Sequence, residues 1–420
     1  MQNEIPAASK SSSFIDLFAR TVGSAIISPP EYVWWAGVCA VSAMMGRLIH
    51  THTFVRGPHD HLYGNMFVIM VGRPGAGKTK AIAEARSIVR RSGARVGPDD
   101  VTGEKLYDFL GLKPDTEGHP PQNAEASPGT FSLFLDEFDS LMHGGMSRAA
   151  KNLLNHCYDC RSDPMIRSTY AHGEQELNDL CLTMAAGCTP AHLASTFEPM
   201  EWQEGLPSRL LLVWGEKPPF KTDYQRGSME GLALAAEKLQ IFIGMHTSVE
   251  WEEKALERYT KWCGENWERK SPHPLLLGYT ARRHLHLAKL AFILAVARLS
   301  EQIEMVDFLR AKQALEAVEG GLDSALSLAG GNSFADVESF LKDFMVPGRP
   351  VAEFHLLRLI GKRMDFEHTQ NTLNALIAAR ILVESPPFKA VGSRMLHLPE
   401  NDDECEQSPH VRPRVRHLMH

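Results

Sequence analysis

The feature that most constrains the fold is an apolar run at residues 66–71 that passes directly into the octapeptide GRPGAGKT at residues 72–79. A continuous apolar run of this length indicates a strand buried on both faces of a parallel sheet. The octapeptide fits G-x-x-x-x-G-K-[ST] without a mismatch, and a helix is predicted from Lys78 to about Ser92. Strand, glycine-rich loop and helix in this order predict a phosphate-binding loop; a chance match is the alternative.

The chemistry of such a loop explains its spacing. Glycines let backbone N–H groups surround phosphate oxygens without Cβ clashes, and the positive end of the helix dipole adds to the attraction. We expect Lys78 to reach the β- and γ-phosphates of ATP and the Thr79 hydroxyl to bind Mg²⁺. The residues expected to bind the nucleotide are Gly72, Pro74, Gly75, Ala76, Gly77, Lys78, Thr79 and Lys80.

Two adjacent carboxylates, Asp136 and Glu137, end a second apolar run at residues 131–135. Open α/β sheets bind their ligands at the carboxyl ends of strands. We therefore expect Asp136 to hold Mg²⁺ through water and Glu137 to act as the general base that polarises the attacking water. The alternative is that both residues only cap a helix that begins near Asp139.

Further apolar runs at residues 180–186 and 209–214 alternate with helical stretches and predict an α/β protein with a parallel sheet. The 420 residues are 44% hydrophobic and 23% charged, which is typical of a globular chain of about three domains. Three predicted helices followed by a strand pair outline a winged helix near the C-terminus. The expected segments are a helical N-terminal part (1–65), an ATPase core (66–218), a helical region (219–331), a winged helix (332–400) and a flexible tail (401–420).

The order of these motifs resembles that of AAA+ ATPases of the kind found in hexameric helicases. Thr189, which follows the third apolar run, is similar in position to the sensor-1 residue that contacts the γ-phosphate or the attacking water. Arg209 resembles the arginine finger of MCM-type helicases, and Arg282 resembles their sensor-2 residue. The resemblance implies that residues 219–331 form an AAA+ lid and that the ATP site is shared between subunits of a ring. A local salt bridge at Arg209 is the alternative.

Over residues 30–325 the chain is more similar still to a family of uncharacterised phage- and plasmid-associated P-loop ATPases with primase-helicase-like neighbours. The shared segments are LYGN at 62–65, VTGEKL at 101–106 and YDC at 158–160. The resemblance implies an ATP-hydrolysing motor, a hexameric DNA helicase or translocase in replication of a phage or mobile element. The alternative is an ATP-gated assembly, loader or regulatory ATPase whose winged helix binds a partner protein. The chain departs from MCM proteins at Leu210 and Leu211, where those have Phe-Asp.

Cations between the acidic pair and the third apolar run are candidates for DNA contact. Ring helicases carry a pore hairpin in this region, so Lys151 and Arg167 are expected to follow a phosphate backbone, with a solvated helix face as the alternative. The net charge of −7 argues against a broadly basic nucleic-acid coat but not against a local basic pore. Residues 334–400 hold eight basic and eight acidic residues, so protein binding is as compatible with this module as DNA binding. Its predicted recognition helix, residues 366–379, carries on its polar side His368, Gln370, Asn371 and Asn374.

The seven cysteines, an odd number, and the lack of a signal peptide or a long uncharged apolar run predict a cytoplasmic protein with free thiols and no membrane contact. Cys157 and Cys160 form a C-x-x-C pair, but a zinc site needs a second pair at suitable spacing. The histidines form two His-x-His pairs, at 50/52 and 59/61, with no further ligand cluster beside them in the sequence. We interpret them as ordinary polar positions.

Overall fold

The computed structural model divides the chain into two compact units, Met1–Ala329 and Gly330–His420. It describes residues 13–52, 61–99, 101, 106–107, 110, 129–142, 148–169, 173–197, 201–203, 205–219, 228–269, 271–326, 341, 344–360, 370, 373–374, 376–377, 381–385 and 394–398. None of the helices in these ranges is long and apolar enough to span a membrane.

The strands of the described residues are β1 (His50–His52), β2 (His61–Tyr63), β3 (Phe67–Val71), β4 (Thr130–Leu135), β5 (Met165–Thr169), β6 (Gly173–Leu177), β7 (Cys181–Cys188), β8 (Leu210–Trp214), β9 (Glu250–Trp251), β10 (Gln302–Ile303), β11 (Val351–Ala352), β12 (Val383–Ser385) and β13 (Met395–His397). The helices are α1 (Phe14–Ala25), α2 (Pro30–Met45), α3 (Lys78–Arg91), α4 (Phe138–Met142), α5 (Arg148–Asp159), α6 (Pro190–Thr196), α7 (Met229–Met245), α8 (Glu253–Asn266), α9 (Leu277–Thr280), α10 (Arg283–Ala297), α11 (Met305–Gly320), α12 (Leu322–Ala325) and α13 (Glu353–Ile360). Single 3₁₀ turns lie at Glu201–Gln203, Pro207–Arg209 and Pro274–Leu276.

A four-stranded parallel sheet in the order β4-β7-β3-β8 forms the centre of the first unit. Every residue of β3 and β7 is buried, which is why these strands are continuous apolar runs rather than alternating patterns. The four predicted strands and the mixed α/β class are confirmed. Val71 pairs with Cys188 and with Trp214, and Leu135 pairs with Ala186, so the segments after these strands leave from one edge of the sheet.

The N-terminal helices pack into this unit. Helix α2 begins at Pro30, where proline is well suited because it lacks only an N–H that the first turn does not use. It packs against α3 and β7, and its residues are buried on nearly all sides. Asp16 of α1 forms a buried ion pair with Arg310 of α11, with a shortest N–O distance of 2.6 Å. This pair anchors α1 to the helical region that follows the sheet.

The region predicted to be helical after residue 218 contains α7 to α12 and the short strands β9 and β10, which pair in parallel. Helix α10 is buried along its whole length and packs against α2 and α11. A helix with apolar residues on every side is stable only in such an enclosed position, and its buried polar residues Arg283, His286 and Lys289 are all hydrogen-bonded.

The second unit contains α13 and a three-stranded antiparallel sheet in the order β11-β13-β12. The predicted strand pair is present as β12 and β13, and β11 adds a third strand that the sequence did not predict. Leu356, Leu376 and Leu396 form part of a small apolar core. Most of the predicted recognition helix, including His368 and Asn371, and the predicted tail at 401–420 lie outside the described residues.

Candidate functional site

The glycine-rich loop leaves the end of β3 and leads into α3. Gly75 and Gly77 have φ values of +75° and +94°, in the left-handed region that side chains disfavour. A Cβ at Gly77 would also collide with the carbonyl oxygen of Ile27. Backbone strain and close approach therefore both require glycine at this position. Lys78, Thr79 and Lys80 form the first turn of α3, where unpaired N–H groups and the helix dipole favour an anion.

Lys78 turns back over the loop that precedes it. Its Nζ donates to the carbonyl oxygens of Gly72 at 2.6 Å and Arg73 at 3.0 Å. Burial lowers the pKa of the Lys78 ammonium, and the neighbouring Cys188 and Glu137 oppose this shift. Thr79 and Lys80 are exposed beside it. The ammonium therefore lies at the mouth of the loop, within the electrostatic reach of the acidic pair.

The acidic pair lies between β4 and α4, at the same sheet edge as the loop. The Asp136 side chain is half exposed, and the Arg86 guanidinium of α3 lies 3.8 Å from its Oδ1. Arg86 also donates to the carbonyl of Phe134 at 3.3 Å, which links α3 to β4. Glu137 immediately precedes α4, so a helix-capping role for the pair is geometrically compatible as well.

Gly187, which sequence reasoning missed, lies between the two motifs. A Cβ at this position would be 2.5 Å from the carbonyl oxygen of Asp136 and 3.5 Å from the Cβ of Lys78. Only glycine lets the acidic segment and the loop lysine come together over the end of β7. A glycine near the end of a buried strand often marks such a close approach, and this was the available signal.

Thr189 follows β7, the strand that lies between β3 and β4. Its Oγ1 accepts from the backbone N–H of His192 at 3.2 Å and so caps α6. The carbonyl of the preceding Cys188 accepts from the N–H of Gly72 at 3.2 Å. A hydroxyl that accepts a hydrogen bond can still donate one, so the cap does not conflict with the predicted contact to phosphate or water.

Tyr32 of α2 packs against the start of the glycine-rich loop, a contact that was not predicted from the sequence. Its hydroxyl lies 2.6 Å from the carbonyl oxygen of Val71 and 3.0 Å from that of Gly215. Gly72 and Gly215 leave the space that the ring occupies, since a Cβ at either position would overlap it. Burial raises the pKa of the Tyr32 phenol well above its usual range, so the group stays a neutral donor.

The two arginines assigned from the resemblance meet at one carboxylate, Asp159. Arg209 donates to Asp159 through Nη2 at 2.7 Å and Nε at 3.2 Å, and Arg282 donates through Nη1 at 3.0 Å. The side chain of Arg209 is only 4% exposed. This geometry is the local salt bridge that the sequence left open, and it does not support the finger assignment. A finger must be accessible to a neighbouring subunit.

The positions of both arginines relative to the loop follow from the sheet register. Leu210, next to Arg209, pairs with Phe67 at the start of β3, whereas the glycine-rich loop leaves the far end of that strand. Four residue steps along a strand span about 13 Å. Arg209, and Arg282 which shares its carboxylate, therefore lie at the edge of the sheet opposite the glycine-rich loop.

The two predicted DNA contacts have different surroundings. Lys151 of α5 forms an ion pair with Glu201, and its side chain is 19% exposed. The pair borders a polar cleft of about 650 Å³. Lys151 is thus paired within its own fold, which does not support the expectation of a cation open to DNA. Arg167 lies in the antiparallel hairpin of β5 and β6, opposite Gln175.

Comparison of the chain with known protein families and with curated proteins finds no match.

Proposed function

We propose that the protein is a P-loop ATPase with an AAA+ core that binds ATP with Mg²⁺ and hydrolyses it. The observation that carries the proposal is the convergence of the Lys78 loop and the acidic pair at one sheet edge, with Gly187 between them. Strands β3 and β4 are separated by one strand, so their ends are about 10 Å apart. That gap suits a terminal phosphate and a metal ion between Thr79 and Asp136.

The proposed roles follow from the donor set. Lys78 exchanges its carbonyl partners for β- and γ-phosphate oxygens. The hydroxyl of Thr79 and the carboxylate of Asp136 are hard oxygen ligands of the type that Mg²⁺ prefers, and Arg86 holds the acidic segment in position. Glu137 orients and deprotonates the attacking water, and Thr189 contacts that water or the γ-phosphate.

We further propose that the working form is a homo-oligomer, a hexameric ring, as the resemblance to AAA+ ATPases implies. Arg282 supports this reading, because it lies opposite its own phosphate loop and its side chain is 23% exposed. Any nucleotide that Arg282 contacts would therefore belong to a neighbouring subunit. Arg209 instead has a positioning role: it holds the segment before β8 through Asp159.

The proposed work of this ATPase is movement along DNA during replication of a phage or mobile element. The supporting feature is the hairpin β5–β6, which lies in the chain between the acidic pair and β7 and carries Arg167.

The second candidate is an ATP-gated loader or regulatory ATPase whose second unit, a winged helix, binds a protein. This candidate is favoured by polar side chains of the predicted recognition helix that are hydrogen-bonded within the unit. Gln370 donates to Glu353 at 3.3 Å, and Asn374 accepts from Arg394 at 3.1 Å, while Arg394 is itself paired with Glu353. These contacts within the unit compete with reading of base edges.

ATP hydrolysis by the purified full chain tests the proposal. Lys78→Ala should weaken both ATP binding and hydrolysis, and Glu137→Gln should keep binding and abolish hydrolysis. Glu257→Gln, an exposed change on α8, is the matched control and should behave as wild type. Normal turnover in Glu137→Gln would refute the assigned base. A rate that neither single- nor double-stranded DNA alters would refute the motor and favour the loader.

A further inference from the structure

Three histidines converge on one face of the β1–β2 hairpin, outside the nucleotide site. His52 lies directly opposite His61 in the antiparallel register, and His50 lies opposite Tyr63. Residues two apart on a strand and residues directly opposite across strands project to the same side. Thr51 and Leu62 face the other way and are buried. Sequence spacing showed the His-x-His pairs but not this pairing, which brings His50, His52 and His61 together.

The ring nitrogens are close enough to share one ion. One nitrogen of each imidazole lies within 4.8 Å of one nitrogen of each of the other two. The rings of His50 and His61 stack with centroids 3.7 Å apart, and His52 meets both edge-on at 5.2 Å. A tetrahedral ion with bonds of about 2.0–2.1 Å holds its nitrogen ligands roughly 3.4 Å apart. The nitrogens must therefore approach by at most about 1.4 Å, and the stacked rings of His50 and His61 must turn apart, because an imidazole nitrogen binds a metal in the plane of its ring.

The surroundings of the cluster favour a cation. Nδ1 of His52 is buried and has no hydrogen-bond partner among the described residues, and a metal bond would satisfy it. The carboxylate of Glu250 adds negative charge close to His50. His61 is exposed, so an ion can enter from solvent.

The backbone of the cluster is held in place before any ion binds. The N–H of His50 donates to the carbonyl of Thr247 at 3.0 Å, and the N–H of Val249 donates to the carbonyl of His50 at 2.9 Å. Strand β1 is therefore hydrogen-bonded on both of its edges. Such support reduces the ordering cost of assembling three ligands.

We propose that His50, His52 and His61 bind one transition-metal ion of the Zn²⁺ class, with water in the fourth position. Three imidazoles suit Zn²⁺, whereas Mg²⁺ and Ca²⁺ prefer oxygen ligands. The ion joins the two strands of the hairpin, and β2 ends only three residues before β3, the strand that carries the phosphate loop. A bound ion would thus stabilise the segment that leads into β3, and it would not be part of the nucleotide site.

Zn²⁺ titration of the metal-free full chain tests the proposal, without nucleotide and with excess Mg²⁺ to saturate the carboxylates. We expect one equivalent per chain by competition with a chromophoric chelator, and visible absorption of a tetrahedral site when Co²⁺ is used. At a free Zn²⁺ concentration one hundred times Kd, the melting temperature should rise by roughly 5 °C. His52→Ala and His61→Ala should each lower affinity at least about tenfold.

The matched control is His355→Ala, an exposed histidine of the second unit, which should bind as wild type does. His61 is itself exposed, so its variant should keep the wild-type circular dichroism spectrum. Absence of stoichiometric binding, or affinity unchanged in His61→Ala, would overturn the proposal. Binding that is lost in Cys157→Ser but retained in the histidine variants would also overturn it, because the ion would then belong to the buried thiols.

Discussion

The ion pair between Asp159 and Arg209 yields the sharpest prediction, because it separates a positioning arginine from an arginine finger. Asp159→Ala leaves the buried guanidinium of Arg209 with the carbonyl of Gly205 as its remaining hydrogen-bond partner among the described residues, and it also removes a partner of Arg282. Breaking a buried pair from one side costs about 3–5 kcal/mol. Arg209→Ala should cost less, about 1–3 kcal/mol, since Asp159 keeps Arg282. The double variant Asp159→Ala/Arg209→Ala should therefore show a coupling energy between the two side chains of about 1–3 kcal/mol.

Urea unfolding at 25 °C, followed by circular dichroism, measures all three variants. Arg258→Ala is the matched control: its partner Glu265 is 3.4 Å away and both side chains are more than a third exposed, so the change should stay within about 0.5 kcal/mol. If Arg209→Ala unfolds within about 0.5 kcal/mol of wild type but loses ATP hydrolysis, the positioning role is refuted and Arg209 acts on nucleotide.

Three further predictions concern single positions. Gly187→Ala should lower ATP hydrolysis at least about tenfold, because its Cβ would lie 2.5 Å from the carbonyl oxygen of Asp136. Gly264→Ala, which has open space around it, is the control and should not lower the rate. Equal rates in the two variants would contradict the steric argument. Burial lowers the pKa of His286 to about 3, so the unfolded state binds a proton below about pH 6.5 that the folded state does not. The free energy of unfolding should therefore fall by up to about 1.4 kcal/mol per pH unit between pH 6.5 and 3, and replacing His286 by Asn should remove that slope from a pH series of denaturant titrations. Tyr32→Phe should cost about 1 kcal/mol in thermal unfolding and raise KM for ATP; an unchanged KM would show that the hydroxyl does not position the loop.

The proposed nucleotide site could be predicted in its main parts from the sequence, because its signals are local. The apolar run of β3, the glycines and the first turn of α3 follow one another along the chain, so burial, loop conformation and helix start all depend on neighbouring residues. The same holds for β4 and the acidic pair. What these runs could not predict was the order of the strands, which decides how far apart the two motifs lie.

Contacts between distant segments account for the predictions that changed. The charge of Arg209 is neutralised by Asp159 and that of Lys151 by Glu201, each 50 residues away in the chain. A sequence motif reports which side chain is present but not which partner compensates its charge. Burial of a charge without a partner is too costly, so a motif arginine in the interior must be paired.

The sequence by itself determined the strands, the loop and the first turn of its helix, because these depend on residue type and short-range spacing. Only the tertiary structure decided where Gly187, Tyr32 and the three histidines act, since strand order and register bring them to their partners. His61 faces His52 because two strands pair antiparallel, and no spacing rule within either strand contains that information.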